Sequence, residues 1–99
     1  ELIGTDCPTF TNLDEMFDKA KPDILMVTTV DSSHHEQITK ALSKGIDVIT
    51  EKPMVTEAVQ AKAIMDAEKK FNRKITVAFN YRYSPKHQIM KEIWIRAKL

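Results

Sequence analysis

Three short, mostly apolar runs alternate with stretches of helical periodicity, and this alternation limits the chain to few folds. The runs are residues 24–27, 46–50 and 75–79. Strands joined by helices form right-handed parallel crossovers, so that their carboxyl ends lie at the same edge of one sheet. The sequence therefore predicts an α/β fold, with a doubly wound parallel sheet of about three strands and flanking helices.

Residues suited to capping stand at the ends of the helical stretches. Asn12 and Glu15 have capping-box spacing. Pro85 suits the first position of a helix, and Gly45 suits a left-handed carboxyl-terminal cap. The predicted amino-terminal caps are Asn12, Ser33, Thr56 and Ser84.

The apolar residues predict which faces are buried. The run 24–27 is continuously apolar, which is typical of a strand covered on both faces. The third helical stretch is predicted to turn Ala61, Ile64, Met65 and Phe71 toward the core. The last stretch carries an apolar stripe that needs a partner surface, made of Ile89, Met90, Ile93 and Trp94.

Length and composition exclude several classes of protein. With 99 residues the chain forms at most one domain, and its formal net charge of +1 argues against a nucleic-acid partner. Cys7 is the single cysteine, so an internal disulfide and a Cys-rich zinc site are excluded and a reducing, cytoplasmic compartment is expected. His34 and His35 point about 100° apart on a helix, so no metal site is predicted. The apolar runs are too short for a membrane span.

Polar side chains follow each apolar run. The first polar segment (residues 28–34), the second (51–53) and the third (80–83) offer Thr28, Thr29, Asp31, His34, Glu51, Lys52, Asn80 and Arg82. In open parallel sheets, ligands bind outside the carboxyl ends of the strands. We therefore predict that the three segments share one ligand.

Lys52 is the sharpest candidate for chemistry. On a short turn stiffened by Pro53, a lysine can present its ammonium to an anionic or hydride-bearing ligand and exchange a proton with a substrate hydroxyl. The alternative is a solvated lysine that happens to follow a strand. Glu51 either accepts hydrogen bonds from a ribose or forms an ion pair nearby.

The first and third polar segments each allow two interpretations. The first lines the mouth of a nucleotide pocket, or it only caps the helix that follows. In the third, Asn80 and the forked donors of Arg82 bind a ribose, phosphate or carboxylate, or they tie the strand to the next helix. Only Gly4 and Gly45 are present, so the glycine-rich phosphate loop of a dinucleotide fold is absent.

The order and spacing of these motifs resemble the glucose-fructose oxidoreductase, inositol dehydrogenase and rhizopine-catabolism family, often called the Gfo/Idh/MocA family. The resemblance runs from about residue 11 to residue 92. The motifs that carry it are Thr29-Val30-Asp31 with His34, Ala41-Leu42-Ser43-Lys44-Gly45, Glu51-Lys52-Pro53 and Phe79-Asn80-Tyr81-Arg82. The chain departs from the family pattern at Val30, usually proline, and at Asp31, usually asparagine, where a carboxylate repels a pyrophosphate unless it reaches a donor.

The resemblance implies a partial Rossmann-like domain that binds NAD or NADP, with the first βαβ unit missing. Residues 1–83 would form the carboxyl-terminal part of that domain, and residues 84–99 a helix leading into a missing substrate domain. Lys52 would be the catalytic lysine. The implied cofactor-binding residues are Thr28, Thr29, Asp31, His34, Glu51, Lys52, Asn80 and Arg82.

Three functions follow as hypotheses. In the first, the chain is a fragment of an NAD(P)-dependent oxidoreductase, a homo-oligomer acting on a sugar, polyol or related hydroxyl compound, and is inactive by itself. In the second, the parent is a glycoside hydrolase that keeps NAD bound and oxidises the sugar transiently. In the third, the unit is a non-catalytic fragment that self-associates through sheet edges and its last helix.

Overall fold

A computed structural model describes residues 6–98 and shows the predicted alternation of helices and strands. The elements are α1 (Leu13–Ala20), β1 (Ile24–Val27), a 3-10 turn (Asp31–Ser33), α2 (His34–Ser43), β2 (Asp47–Glu51), α3 (Ala58–Phe71), β3 (Ile75–Ala78) and α4 (Pro85–Ala97). The three strands form one parallel sheet in the order β1-β2-β3. The α/β architecture predicted from the sequence is thereby confirmed.

The strands are in register at their carboxyl ends. Val27 of β1 lies beside Thr50 of β2, and Thr50 lies beside Val77 of β3. The three segments that follow the strands therefore leave the sheet at one edge.

The core lies between one face of the sheet and the helices. α2 packs on β1, β2 and α3. The buried apolar residues are Phe17, Val27, Ile38, Ala41, Leu42, Ile46, Val48 and Ile64. These side chains come from three helices, two strands and, for Ile46, the turn between α2 and β2, so the single cluster fixes the sheet against the helical layer.

The opposite face of the sheet corrects one expectation. Ile24 and Met26 are 54% and 67% exposed, whereas the apolar run 24–27 predicted a strand covered on both faces. Alternate strand residues point to opposite faces, and only the face bearing Val27 and Val48 meets the helices among residues 6–98. The apolar pattern therefore predicted the strand correctly, but the described helices cover only one of its two faces.

The helix caps were predicted with mixed success. Asn12 caps α1 as expected, since its Oδ1 accepts a hydrogen bond of 3.0 Å from the Glu15 N–H. Ser33 and Ser84 make no side-chain capping bond, and the Ser33 hydroxyl donates instead to the Val30 carbonyl at 2.8 Å. α3 begins after Glu57, so Thr56 is not its cap.

The apolar face of α3 differs from the predicted one, whereas the stripe of α4 lies open as a surface in need of a partner. Ile64 is buried, but Met65 is 54% exposed because a neighbour on a helix is rotated by about 100° from it. Within the described residues the stripe of α4 has no cover, since Ile89, Met90, Ile93 and Trp94 are each 57–60% exposed.

Two ion pairs join α1 to α2. Lys40 Nζ lies 3.1 Å from Asp14 Oδ2, and Lys44 Nζ lies 2.9 Å from Asp18 Oδ1. The hydrogen bond to Asp14 raises the pKa of Lys40, and that to Asp18 raises the pKa of Lys44. Exposed ion pairs contribute little to the free energy of unfolding, so the main role of these two is to set the orientation of α1 against α2.

Gly45 ends α2 in the left-handed conformation that its position predicted. Its φ is +78°, and the neighbouring Ile46 N–H donates to the Ala41 carbonyl at 3.0 Å. A Cβ at Gly45 would meet no atom within 4 Å. The whole cost of a side chain here is therefore the backbone conformation.

We expect Gly45→Ala to lower the free energy of unfolding by about 1–2 kcal/mol, the cost of a left-handed L-residue. Gly45→Asn is the matched control and should cost less, since asparagine tolerates this conformation. Urea denaturation followed by circular dichroism measures both. Equal losses for the two variants would mean that steric contact, and not φ, decides the position.

Candidate functional site

The three polar segments emerge together at the carboxyl edge of the sheet. Six of the eight residues predicted for the site are exposed, while Glu51 is half-buried and His34 is buried. The exposed ones are Thr28, Thr29, Asp31, Lys52, Asn80 and Arg82. The parallel register brings the segments to one edge, as the sequence predicted, and leaves their functional groups open to a ligand.

A cluster of side chains orders the first polar segment. Thr29 Oγ1 lies 2.8 Å from Ser33 Oγ and donates to Gln37 Oε1 at 3.0 Å. Gln37 was missed in the sequence, although its position four residues after Ser33 places it one helical turn away. The cluster ties the loop after β1 to the first turns of α2.

His34 joins the first and second polar segments. Its ring is 0% exposed. Nδ1 lies 2.7 Å from the Pro53 carbonyl oxygen, and Nε2 lies 3.0 Å from the Thr29 carbonyl oxygen. The histidine predicted to contact a cofactor therefore sits beneath the edge, where it contacts the backbone of two loops.

The second polar segment forms a turn with Lys52 at its tip. The Lys52–Pro53 peptide bond is cis, and the Lys52 N–H donates to Glu51 Oε2 at 3.2 Å. Beyond the turn, Met54 and Val55 pack against the core. In the part of the chain that the structure describes, no ion pair engages the exposed Lys52 ammonium. This cation is free to meet an anionic or hydroxyl-bearing ligand.

The third polar segment borders a cavity. The Arg82 N–H donates to the Phe79 carbonyl at 2.9 Å, and the Ser84 N–H donates to the Tyr81 carbonyl at 3.2 Å. The resulting turn and α4 border an open pocket of about 640 Å³. The lining residues are Tyr81, Arg82, Tyr83, His87, Gln88, Lys91, Glu92 and Ile95. The sequence pattern of α4 draws attention to its apolar stripe, so His87 and Lys91 were not predicted to line a pocket.

Several exposed groups at this edge suit the sugar and phosphate oxygens of a nucleotide. Thr28, Asn80 and Arg82 offer hydroxyl, amide and guanidinium groups suited to ribose and phosphate oxygens. Asp31 is an exposed carboxylate in the same region, and it suits a ribose hydroxyl better than a phosphate. Among residues 6–98, no three His, Cys, Asp or Glu side chains lie close enough to hold a metal ion. None of the described helices has the length and apolar character to cross a bilayer.

The chain is similar to known oxidoreductases. A family model described as "Oxidoreductase family, NAD-binding Rossmann fold" matches residues 3–79. The Bacillus subtilis (strain 168) protein named "Putative oxidoreductase YteT" is 49% identical over 86 residues, which are 87% of this chain and 20% of that protein. An inositol 2-dehydrogenase/D-chiro-inositol 3-dehydrogenase from Lactiplantibacillus plantarum is 28% identical, over 91% of this chain and 26% of its own length.

A solved structure gives the same result for the fold. The crystal structure of an NAD-binding protein from Listeria innocua superposes with a TM-score of 0.81 at 28% identity, over 89% of this chain and 26% of that one. The chain thus spans about a fifth to a quarter of the length of these proteins.

Proposed function

The chain belongs to the Gfo/Idh/MocA family of NAD-binding oxidoreductases, and from that premise we propose that it builds the nicotinamide-side half of a dinucleotide domain. The longer enzyme would transfer hydride between NAD or NADP and a sugar, polyol or related hydroxyl compound. The single observation that carries the proposal is the exposed Lys52 ammonium, held at the shared edge of three parallel strands. The inositol dehydrogenase among its relatives supports a polyol as substrate.

In this proposal the residues at the edge divide binding and proton transfer between them. Thr28, Asn80 and Arg82 donate hydrogen bonds to the nucleotide, while Glu51 and Asp31 accept from ribose hydroxyls. Thr29 Oγ1, whose proton goes to Gln37, also accepts. When bound, the nicotinamide accepts or gives the hydride. Lys52 Nζ exchanges a proton with the hydroxyl group on the substrate carbon that gives or accepts the hydride.

The proposed organisation assigns residues 1–83 to the dinucleotide domain and residues 84–99 to a helix that leads toward a substrate domain. The chain has no glycine-rich loop, so by itself it would not hold the pyrophosphate and would be inactive. The exposed stripe of α4 and the uncovered face of β1 would be surfaces of association within the longer homo-oligomeric enzyme.

The test is a panel of polyols, aldoses, sugar phosphates and glycosides given to the full-length protein with NAD and, separately, with NADP. We expect absorbance of reduced nicotinamide to rise with at least one class of hydroxyl compound. Cleavage of a glycoside without net reduction of nicotinamide would instead support the NAD-dependent hydrolase. No turnover and no nucleotide binding would contradict both enzymes and leave the self-associating fragment.

A further inference from the structure

Among residues 6–98, the buried ring of His34 makes the side-chain hydrogen bond that joins the first polar segment to the second. Its Nδ1 approaches Pro53, nineteen residues away in the chain, at 2.7 Å, the shorter of its two contacts. Nε2 reaches the Thr29 carbonyl, five residues back, at 3.0 Å. The ring therefore holds the backbone of the Lys52 turn at a fixed distance from the loop after β1.

The chemistry of the two partners limits which ring nitrogen of His34 can be protonated. Both are carbonyl oxygens, which accept hydrogen bonds and never donate them. A hydrogen bond to Pro53 thus requires a proton on Nδ1, whereas a neutral ring with its proton on Nε2 would turn a lone pair toward the Pro53 oxygen. A neutral ring carries one proton for its two carbonyl acceptors, and the shorter contact, 2.7 Å to Pro53 against 3.0 Å to Thr29, places that proton on Nδ1.

We propose that His34 is a positioning residue for Lys52, and that it acts through a hydrogen bond from Nδ1–H to the Pro53 carbonyl. Pro53 directly follows Lys52, so the hydrogen bond to the Pro53 carbonyl fixes the position of the Lys52 backbone. The exposed Lys52 side chain has no ion pair among residues 6–98 to hold it, and its placement depends on its backbone. The role in catalysis rests on the function proposed above, but the hydrogen bond itself does not.

Two substitutions separate the ring nitrogens. The amide nitrogen of Asn stands as many bonds from Cα as Nδ1 does, and that of Gln as many as Nε2. His34→Asn therefore keeps a donor for Pro53, while His34→Gln places the donor near Thr29. His35→Gln is the control, since His35 is adjacent, half-buried and outside this contact.

The experiment uses the 99-residue chain labelled with ¹⁵N. Long-range spectra of the three histidine rings report which nitrogens carry protons, and amide spectra report the positions of Glu51, Lys52 and Met54. We expect a protonated Nδ1 in His34, amide shifts at the Lys52 turn that are large in His34→Gln and small in His34→Asn, and none in His35→Gln. An unprotonated Nδ1, or equal shifts in the Asn and Gln variants, overturns the proposal.

The ring spectrum of the unsubstituted chain decides the question even if a variant does not fold. Titration of the full-length protein with NADH is read separately. A protonated Nδ1 without nucleotide binding would keep the positioning bond and remove the proposed function, and the reverse result would do the opposite.

Discussion

Replacing Lys52 by methionine should lower kcat of the full-length enzyme by about 10²- to 10⁴-fold, the usual contribution of a positioned acid or base. Methionine keeps most of the unbranched stem and removes only the ammonium that moves the proton. The affinity for NADH should stay nearly unchanged, because the hydroxyl, amide and guanidinium donors remain. Steady-state rates with the best polyol and an NADH fluorescence titration measure the two quantities.

A matched control comes from the exposed Lys69 in the last turn of α3. Lys69→Met removes the same charge from the chain and should leave both kcat and NADH affinity unchanged. Turnover of Lys52→Met equal to that of the unsubstituted enzyme would remove Lys52 from the mechanism. A parallel loss of NADH binding would instead make Lys52 a cofactor-binding residue only.

The second large effect concerns the core under α3. Ile64 is 1% exposed, whereas Met65 is 54% exposed. Ile64→Ala should therefore lower the free energy of unfolding by about 2–5 kcal/mol, through lost apolar burial and the cavity left behind. Met65→Ala should change it by no more than about 0.5 kcal/mol.

Urea denaturation of the 99-residue chain, followed by far-ultraviolet circular dichroism, compares the two variants directly. Because the residues are neighbours on one helix and both become alanine, differences in helix propensity are small. Equal losses would show that α3 packs with both residues, as the sequence pattern predicted, and would contradict the orientation described above.

The fold was largely predictable because its signals are local and repeated. The apolar runs, the Asn12 cap and the left-handed Gly45 each express a short-range preference that the tertiary structure keeps. Met65 was assigned to the core wrongly, and Ser33 stands at the cap position of α2 without making a side-chain capping bond, because both environments depend on contacts outside the local pattern. The local sequence pattern predicts that an apolar residue beside a buried one is also buried. It predicts equally that a serine before a helix caps that helix through its side chain.

The candidate site was predictable in position but not in its connections. Parallel crossovers alone bring the polar segments to one edge, which the register confirms. The burial of His34 beneath Pro53 was not predictable, since it joins residues nineteen positions apart in chain order. His87 and Lys91 escaped notice because the helical pattern of α4 singles out its apolar stripe, whereas the turn at residues 80–83 brings the polar side of the helix to the pocket.

The central claim is that the three polar segments bind one nicotinamide nucleotide, and NADH titration of the full-length protein tests it most directly. One substitution is placed in each segment, Thr28→Val, Glu51→Ala and Asn80→Ala, with Lys69→Met as the control. The account predicts that the control binds NADH normally and that each of the three variants weakens binding by roughly tenfold, the effect of one lost hydrogen bond. Unweakened binding in all three variants, or no binding by the unsubstituted protein, would contradict it.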